Sequence, residues 1–346
     1  INEYTLPEVL ALGTGSFASA DVGKTIEANS GEFVLTATDG SYVETTAPTS
    51  YDQVASGNWS MYGVVYNAVD GDLELSSTAI NQFDVSTAVY SQNFSVAAQD
   101  TAPTGIVFNT DGTKMFVVGF TNDSVYEYAL STGFNVSTAS YSQNFSVSAQ
   151  DTDPEGIAFN TDGTKMYIVG RAGQDINEYT LSTGFDISTA SYSQNFSVSA
   201  QDTAPTDIAF NADGTKMFVV GRTSDNVNEY TLSTGFDVST ASYSQNFSVA
   251  SEQPFPEGMT FNNDGTKMFI TGQSPATVFV YTLSTGFDVS TAAYSSVSFS
   301  VSTQEGTPTG IKFNTNGTKM FIVGRSGDEI NEYTLPEVLA LGTGSF

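Results

Sequence analysis

The sequence contains no cysteine and no histidine in its 346 residues. Without cysteine there is no disulfide framework, no thiolate nucleophile and no cysteine-type zinc site. Without histidine the commonest general base and metal ligand is missing, so Ser-His-Asp and Cys-His catalysis are both excluded. The chemistry that remains open is that of carboxylates, alone or as oxygen ligands to a metal such as calcium.

Basic residues are also scarce, with 10 Lys and Arg against 38 Asp and Glu and a net charge of -28. A field of this sign opposes non-specific binding to DNA, RNA and anionic membranes. No apolar run approaches the roughly 18 residues that a membrane span needs. We therefore expect neither a nucleic-acid partner nor membrane insertion. Half of the basic residues are evenly spaced lysines that form no patch: Lys114, Lys165, Lys216, Lys267 and Lys319.

Those lysines belong to a motif, Phe-Asn-x-Asp/Asn-Gly-Thr-Lys-Met, that occurs five times at spacings of 51, 51, 51 and 52 residues. Each copy lies between two short apolar runs, and Asp-Gly between β-rich runs predicts a hairpin because glycine supplies the positive φ of the turn. The copies begin at Phe108, Phe159, Phe210, Phe261 and Phe313. The predicted structural turn residues are Asp111, Gly112, Asp162, Gly163, Asp213, Gly214, Asp264, Gly265, Asn316 and Gly317.

Each 51-residue repeat contains four predicted strands, which in the second repeat are Gly156–Phe159, Lys165–Gly170, Ile176–Leu181 and Ser193–Val198. Four short strands with tight turns at this period are typical of a β-propeller blade. The first element of the series is a fourth strand near Phe94, and the last is a third strand. We therefore predict an all-β, five-bladed propeller in which the N-terminal strand is the outer strand of the last blade and closes the ring.

Residues 1–17 and 330–346 are identical, 329 positions apart. We interpret the chain as one period of a tandem array, in which 1–6 is the last strand of a preceding propeller and 336–346 begins the next small module. The alternative is a single-copy protein with a duplicated end. Residues 7–80 predict a small all-β barrel or sandwich, with strands at 24–28, 32–38, 42–46, 60–66 and 73–76, and residues 81–335 form the propeller.

The repeats, with Gly-Ile-Ala-Phe-Asn-x-Asp-Gly-Thr-Lys-Met followed by a Tyr-x-Leu-Ser strand, resemble the lactonase-like, YVTN-type propeller repeats. This resemblance implies the fold but brings no catalytic set with it. Within residues 7–80, the motifs at 20–26 and 57–62 resemble small β-barrel modules of bacteriophage tail and virion proteins. That second resemblance implies a virion setting.

The best candidate for a binding site is a set of acidic residues in the connections from the fourth strand to the first. Such loops converge near the axis of a propeller, where a rim of carboxylates can hold calcium or a glycan. A solvated acidic rim is the alternative. Calcium is the only cofactor that we consider, and we predict no other metal site. The predicted rim is Asp100, Asp151, Asp202, Glu252 and Glu305.

We predict no catalytic residue, because glycosidase-type catalysis needs carboxylates in unlike environments and these acids repeat almost identically. The sequence therefore favours a non-enzymatic structural or adhesive fibre protein whose partners are copies of itself, at an extracellular or virion surface. An array would multiply weak contacts. The alternative is a lectin-like propeller that binds host surface glycans, and a propeller hydrolase is a third hypothesis.

Overall fold

The computed structural model describes residues 83–335 without interruption and, before them, the backbone of six short strands. The chain divides into two compact units, Ile1–Gln82 with Glu337–Phe346, and Phe83–Pro336. In the part of the chain that is described, every helix is a three-residue 3-10 turn, and none is long and apolar enough to cross a membrane. The predictions for residues 1–6 and 336–346 lie outside the described residues.

The first unit contains one antiparallel sheet in the strand order β1-β2-β3-β6-β5-β4. Its sequence predicted one strand over 60–66, but the structure has two, which pair with each other. Closure of this sheet into a barrel or sandwich stays a prediction. The strands are β1 Thr25–Ala28, β2 Gly31–Thr38, β3 Val43–Thr46, β4 Trp59–Met61, β5 Val64–Tyr66 and β6 Leu73–Leu75.

The second unit is a propeller of five four-stranded antiparallel blades, which confirms the predicted fold. Blade 1 is β8 Pro103–Phe108, β9 Lys114–Gly119, β10 Ser124–Leu130 and β11 Ala139–Ser146. Blade 2 is β12 Pro154–Phe159, β13 Lys165–Gly170, β14 Asp175–Leu181 and β15 Ala190–Ser197. Blade 3 is β16 Pro205–Phe210, β17 Lys216–Gly221, β18 Asn226–Leu232 and β19 Ala241–Ser248. Blade 4 is β20 Pro256–Phe261, β21 Lys267–Gly272, β22 Thr277–Leu283 and β23 Ala292–Ser300.

Blade 5 is completed from the other end of the propeller, as predicted. Its own strands are β24 Pro308–Phe313, β25 Lys319–Gly324 and β26 Glu329–Thr334, and its outer strand is β7 Val89–Ser95. Strand β7 pairs antiparallel with β26, so that Phe94 lies opposite Ile330. The first strands of the five blades contact each other in turn, and β24 contacts β8, so they surround the axis.

The recurring Asp-Gly pairs lie in the hairpins between the first and second strands. Their five glycines have φ between 66° and 72°, in the left-handed region that glycine adopts without a steric penalty. At Gly112 the ring of Phe134 leaves no room for a side chain, since an added Cβ would lie 2.3 Å from a ring carbon. The neighbouring Asp111 accepts hydrogen bonds from both the backbone N–H and the hydroxyl of Thr113.

A tyrosine in each third strand packs between neighbouring blades. Tyr128 is fully buried, and its ring meets the ring of Phe94 from blade 5 edge-on at 5.5 Å. Its hydroxyl donates a hydrogen bond to Gln99. The other blades repeat the buried ring and the hydroxyl contact with Tyr179, Tyr230, Tyr281 and Tyr333.

A buried glutamate ties each of four blades to the next one. In blade 3, Glu229 accepts hydrogen bonds from Gln245 at 2.9 Å and from the backbone N–H of Val289 in blade 4 at 3.1 Å. Its other oxygen lies 2.8 Å from the ammonium group of Lys216, which also donates to the carbonyl of Phe287 in blade 4. We call this arrangement the junction network. Its other glutamates are Glu127, Glu178 and Glu332.

Blade 4 lacks the junction network because two of its members are replaced together. Val280 occupies the position of the glutamate, and Val297, opposite it on the outer strand, occupies that of the glutamine. Lys267 still donates to the carbonyl of Phe83 in blade 5, at 3.4 Å. Replacing both partners with apolar groups avoids the desolvation cost of a buried polar group that has lost its partner.

Copying this valine pair into blade 3 tests that explanation. We expect Glu229→Val alone to lower the free energy of unfolding by about 2–3 kcal/mol, since the buried N–H of Val289 loses its acceptor, and Gln245 and the partly exposed Lys216 each lose one of their two acceptors. The double variant Glu229→Val/Gln245→Val should lose about 1 kcal/mol less. Urea unfolding of both variants measures this. A double variant at least as destabilised as the single one would contradict the explanation.

Candidate active site

The direction of the strands assigns the loops to two faces of the propeller. In blade 1, Pro103 at the start of β8 pairs with Gly119 at the end of β9. The connections into the first strand and out of the second therefore lie on one face, which we call the upper face. The Asp-Gly hairpins lie on the opposite, lower face.

The predicted rim residues lie on the upper face, but each one bonds within its own blade. Asp202, which is 2% exposed, accepts backbone N–H groups of Ala204 at 2.7 Å and of Ser224 at 2.9 Å. Asp100, Asp151 and Glu305 are equally buried and accept equivalent bonds. Each of these carboxylates therefore links two loops of its own blade. The structure does not bring the carboxylates of different blades together.

The fifth member of this set is Gln253 and not Glu252. Gln253 donates to the carbonyl of Pro275 in the adjacent loop, whereas Glu252 accepts a hydrogen bond from the hydroxyl of Tyr281 at 3.2 Å. Counting three residues back from the proline that starts each first strand identifies the correct position. Among the described residues, no three acidic side chains are placed to hold a metal ion. Binding of calcium or a glycan by the rim stays a prediction.

The blades differ from one another where they meet the axis at the upper face. The second residue of the first strand is threonine in three blades but Glu155 in blade 2 and Glu257 in blade 4. The residue after the second strand is Arg171, Arg222 or Arg325 in blades 2, 3 and 5. These are all three arginines of the sequence. We call these five residues the upper-mouth cluster.

Glu155 holds arginines from two blades that are not neighbours. Arg325 reaches it from blade 5 with contacts of 2.9 Å to Oε2 and 3.1 Å to Oε1, and Arg171 of its own blade also contacts Oε1. Burial raises the pKa of Glu155 to about 7, although the two guanidinium groups act in the opposite direction. A carboxylate with this pKa can exchange a proton near neutral pH.

The second half of the upper-mouth cluster is the pair of Arg222 and Glu257. Arg222 from blade 3 contacts Glu257 from blade 4, which is 1% exposed. Burial lowers the pKa of Arg222, and the positive charge of Arg171 lowers it further. All three arginine side chains remain between 21% and 24% exposed, whereas the Nε atom of each arginine is buried.

Below this cluster the axis contains one more ion pair. Asp207 replaces the glycine that the other four blades have at its position, and Lys312 replaces a valine, alanine or threonine. Their side chains meet at 3.3 Å, and Asp207 also accepts the backbone N–H of Met259 at 2.8 Å. Burial raises the pKa of Asp207, and Lys312 opposes that shift.

These axial groups correct our expectation that the acids share one environment. Glu155 lies between two arginines, Glu257 beside one, and Asp207 beside a lysine. Sequence reasoning missed all three because it followed the positions where the repeats agree. The signal was available at the positions where one or two repeats have an acidic residue and the others have threonine or glycine. A buried carboxylate of near-neutral pKa beside guanidinium donors suits acid–base chemistry on a carbonyl compound.

Comparison with known proteins adds a family. The model of a family described as "Lactonase, 7-bladed beta-propeller" matches residues 98–287, whereas residues 83–335 of this chain form five blades. No curated protein matches the chain.

Solved structures with a similar arrangement of strands share little sequence with the chain. A candidate 6-phosphogluconolactonase from Bacteroides uniformis is 12% identical over 91% of this chain and 81% of its own, with a TM-score of 0.44. A luciferin-regenerating enzyme is 12% identical over 75% and 97%, with a TM-score of 0.44. A functionally unknown protein from Desulfotomaculum acetoxidans is 10% identical over 70% and 69%, with a TM-score of 0.43. These likenesses carry no argument about activity.

The raised pKa of Glu155 predicts a specific dependence of stability on pH. Its folded pKa of about 7 lies above the ordinary value of 4.5, so its contribution to stability is present below pH 4.5 and is lost as the pH rises through 7. Glu155→Gln removes this loss. Between pH 4.5 and 7, the free energy of unfolding should therefore fall more steeply in the unsubstituted protein than in the variant.

Urea unfolding at several pH values measures that difference. Asp213→Asn, an exposed substitution in a lower-face hairpin, controls for the loss of one carboxylate. If the free energy of unfolding changes equally with pH in the unsubstituted protein and in Glu155→Gln, the pKa of Glu155 is not raised and the prediction is wrong.

Proposed function

The chain belongs to the family described as lactonase, 7-bladed beta-propeller, and from this premise we propose that it is a hydrolase that opens cyclic esters at the upper-mouth cluster. The observation that supports this proposal most directly is Glu155, a buried carboxylate of near-neutral pKa between two guanidinium groups. Ester hydrolysis requires both of these functions, a base for water and a donor for the carbonyl oxygen.

Family membership also corrects the prediction of a non-enzymatic protein. That prediction rested on the uniformity of the repeated acids and on the missing histidine and cysteine. The acids that repeat in every blade link the loops of the upper face. The acids at the axis are different residues, namely Glu155, Glu257 and Asp207. A buried glutamate with a raised pKa supplies the proton-accepting group that histidine provides in many other hydrolases.

In the proposed reaction, ionised Glu155 takes a proton from a water molecule as the water oxygen bonds to the lactone carbonyl carbon. Negative charge develops on the carbonyl oxygen, where N–H groups of Arg171 or Arg325 can donate to it. The bond from the carbonyl carbon to the ring oxygen then breaks. Glu155 returns the proton to that oxygen, and the product is an open-chain hydroxy acid, which releases its carboxyl proton to the solvent.

The surroundings of Glu155 favour a polar lactone over an apolar one. All the arginines of the sequence are gathered at this mouth, where guanidinium N–H groups can donate hydrogen bonds to the oxygens of a substrate. Phe120, which is 43% exposed, lies 5.9 Å from the guanidinium carbon of Arg325. It offers an apolar face beside that charge.

An assay of lactone hydrolysis tests this proposal. It measures the acid released from five- and six-membered sugar lactones, and the uncatalysed rate is subtracted. We expect Glu155→Gln to lower kcat/KM by about 100-fold or more, because general-base catalysis typically contributes that much. Arg325→Gln should lower it by about 100-fold through the lost donor. In the unsubstituted protein, the rate should rise with pH through about 7, as Glu155 ionises.

Asp213→Asn should keep full activity, because it changes a carboxylate on the opposite face. Absence of turnover on every lactone, or turnover unchanged by Glu155→Gln, would refute the assignment of the site.

We propose separately that such propellers are arranged in a tandem array at an extracellular or virion surface. The support is the identity of residues 1–17 and 330–346. In this proposal the partners are copies of the same unit, in a fibre that adheres through many weak contacts. Recognition of surface glycans by the predicted acidic rim is the alternative role for the array.

The mass of the native polypeptide under denaturing conditions tests the array. Masses near multiples of the 329-residue period are expected. A native polypeptide of 36.6 kDa would exclude a covalent array.

A further inference from the structure

A cavity of about 230 Å³ lies on the lower face, at the other end of the axis from the upper-mouth cluster. Its walls come from the ends of the first strands of blades 1, 4 and 5, and they include the rings of Phe108, Phe134, Phe261 and Phe313. For comparison, an engineered apolar cavity of about 150 Å³ can bind benzene. The lower cavity therefore has room for one ring and a small substituent.

Three neighbouring hairpins tied by hydrogen bonds form the entrance of the cavity. Asn263 of blade 4 donates to the carbonyl of Thr315 in blade 5 at 2.9 Å. The hydroxyl of Thr315 donates in turn to the carbonyl of Thr110 in blade 1 at 3.1 Å. All three residues are exposed and line the cavity, so the site opens to solvent through a fixed entrance.

The charged group that lines the cavity is Lys312. The other blades have Val107, Ala158, Ala209 and Thr260 at this position, so the lysine is a departure from the repeat. Its ammonium group donates to the carbonyl of Met259 at 3.0 Å and lies 3.3 Å from Asp207. The side chain is 14% exposed, and these two contacts use two of the three ammonium donors, which leaves one donor for a ligand in the cavity.

We propose that the lower cavity binds a small carboxylate with a flat, apolar body, and that Lys312 binds its carboxylate group. The aromatic walls match the faces of a ring, and the ammonium group matches an anion in an otherwise acidic protein. Aromatic carboxylates and hydroxycarboxylates with an apolar face share this chemistry. The site is separate from the upper-mouth cluster, so this proposal does not depend on hydrolysis there.

Calorimetric titration of the whole protein with benzoate, and with benzyl alcohol as its uncharged counterpart, tests the site. We expect benzoate to bind in the millimolar range or tighter and benzyl alcohol to bind more weakly. Lys312→Met should weaken benzoate by about 10–100-fold, the range for a hydrogen bond to a charged group, and leave benzyl alcohol nearly unchanged. Lys312→Arg should retain most of the benzoate affinity.

Two further variants guard against misfolding and against binding elsewhere. The double variant Lys312→Thr/Asp207→Gly has, at both positions, residues that occur in other blades. It removes the lysine without leaving Asp207 unpaired, and it should also fail to bind benzoate. Val107→Phe fills the cavity and keeps Lys312, and it should abolish binding of both probes. Failure of millimolar benzoate to bind the unsubstituted protein, or equal benzoate affinity in the double variant, would overturn the proposal.

Discussion

Four of the five junctions between blades contain a buried contact between a glutamate of one blade and the backbone of the next. Glu229 joins a lysine and a glutamine of its own blade to the backbone N–H of Val289 in the following blade. A carboxylate that is 1% exposed is tolerated there because each of its oxygens has a donor. Blade 4 lacks this contact and has Val280 and Val297 in its place, so the ring does not require a charged group at every junction.

Because contacts between blades away from the axis hold the ring together, the residues at the axis can differ from blade to blade. The first strands approach so closely that a Cβ on Gly258 would lie 2.7 Å from the Cα of Gly310. In one blade this glycine is Asp207, and its carboxylate is held by the backbone of blade 4 and by Lys312 of blade 5. Repetition therefore supplies a rigid frame, and the few departures from it supply unlike chemical groups at its two ends.

The fold could be predicted from the sequence because it depends on local signals that recur. The Asp-Gly hairpins fixed the period, and the unmatched strand near Phe94 fixed the closure. The upper-mouth cluster could not be predicted in the same way. Glu155 meets Arg325 across the axis, 170 positions away, and only the closed ring shows that blades 2 and 5 face each other. Glu252 lies one position before the residue that matches the other four, because blade 4 has Glu252-Gln253 where the other loops have a glutamine followed by an acid.

The closure of blade 5 also determines how the propeller responds to force. Val89 at the start of β7 lies opposite Thr334 at the end of β26, so the chain enters and leaves the propeller at the same end of one antiparallel ladder. Tension applied through residues 83 and 335 would load the hydrogen bonds of that ladder one pair after another, as in a zipper, and would not shear them all at once. The ladder between β7 and β26, which closes the ring, is thus the part of the propeller that would separate first under tension.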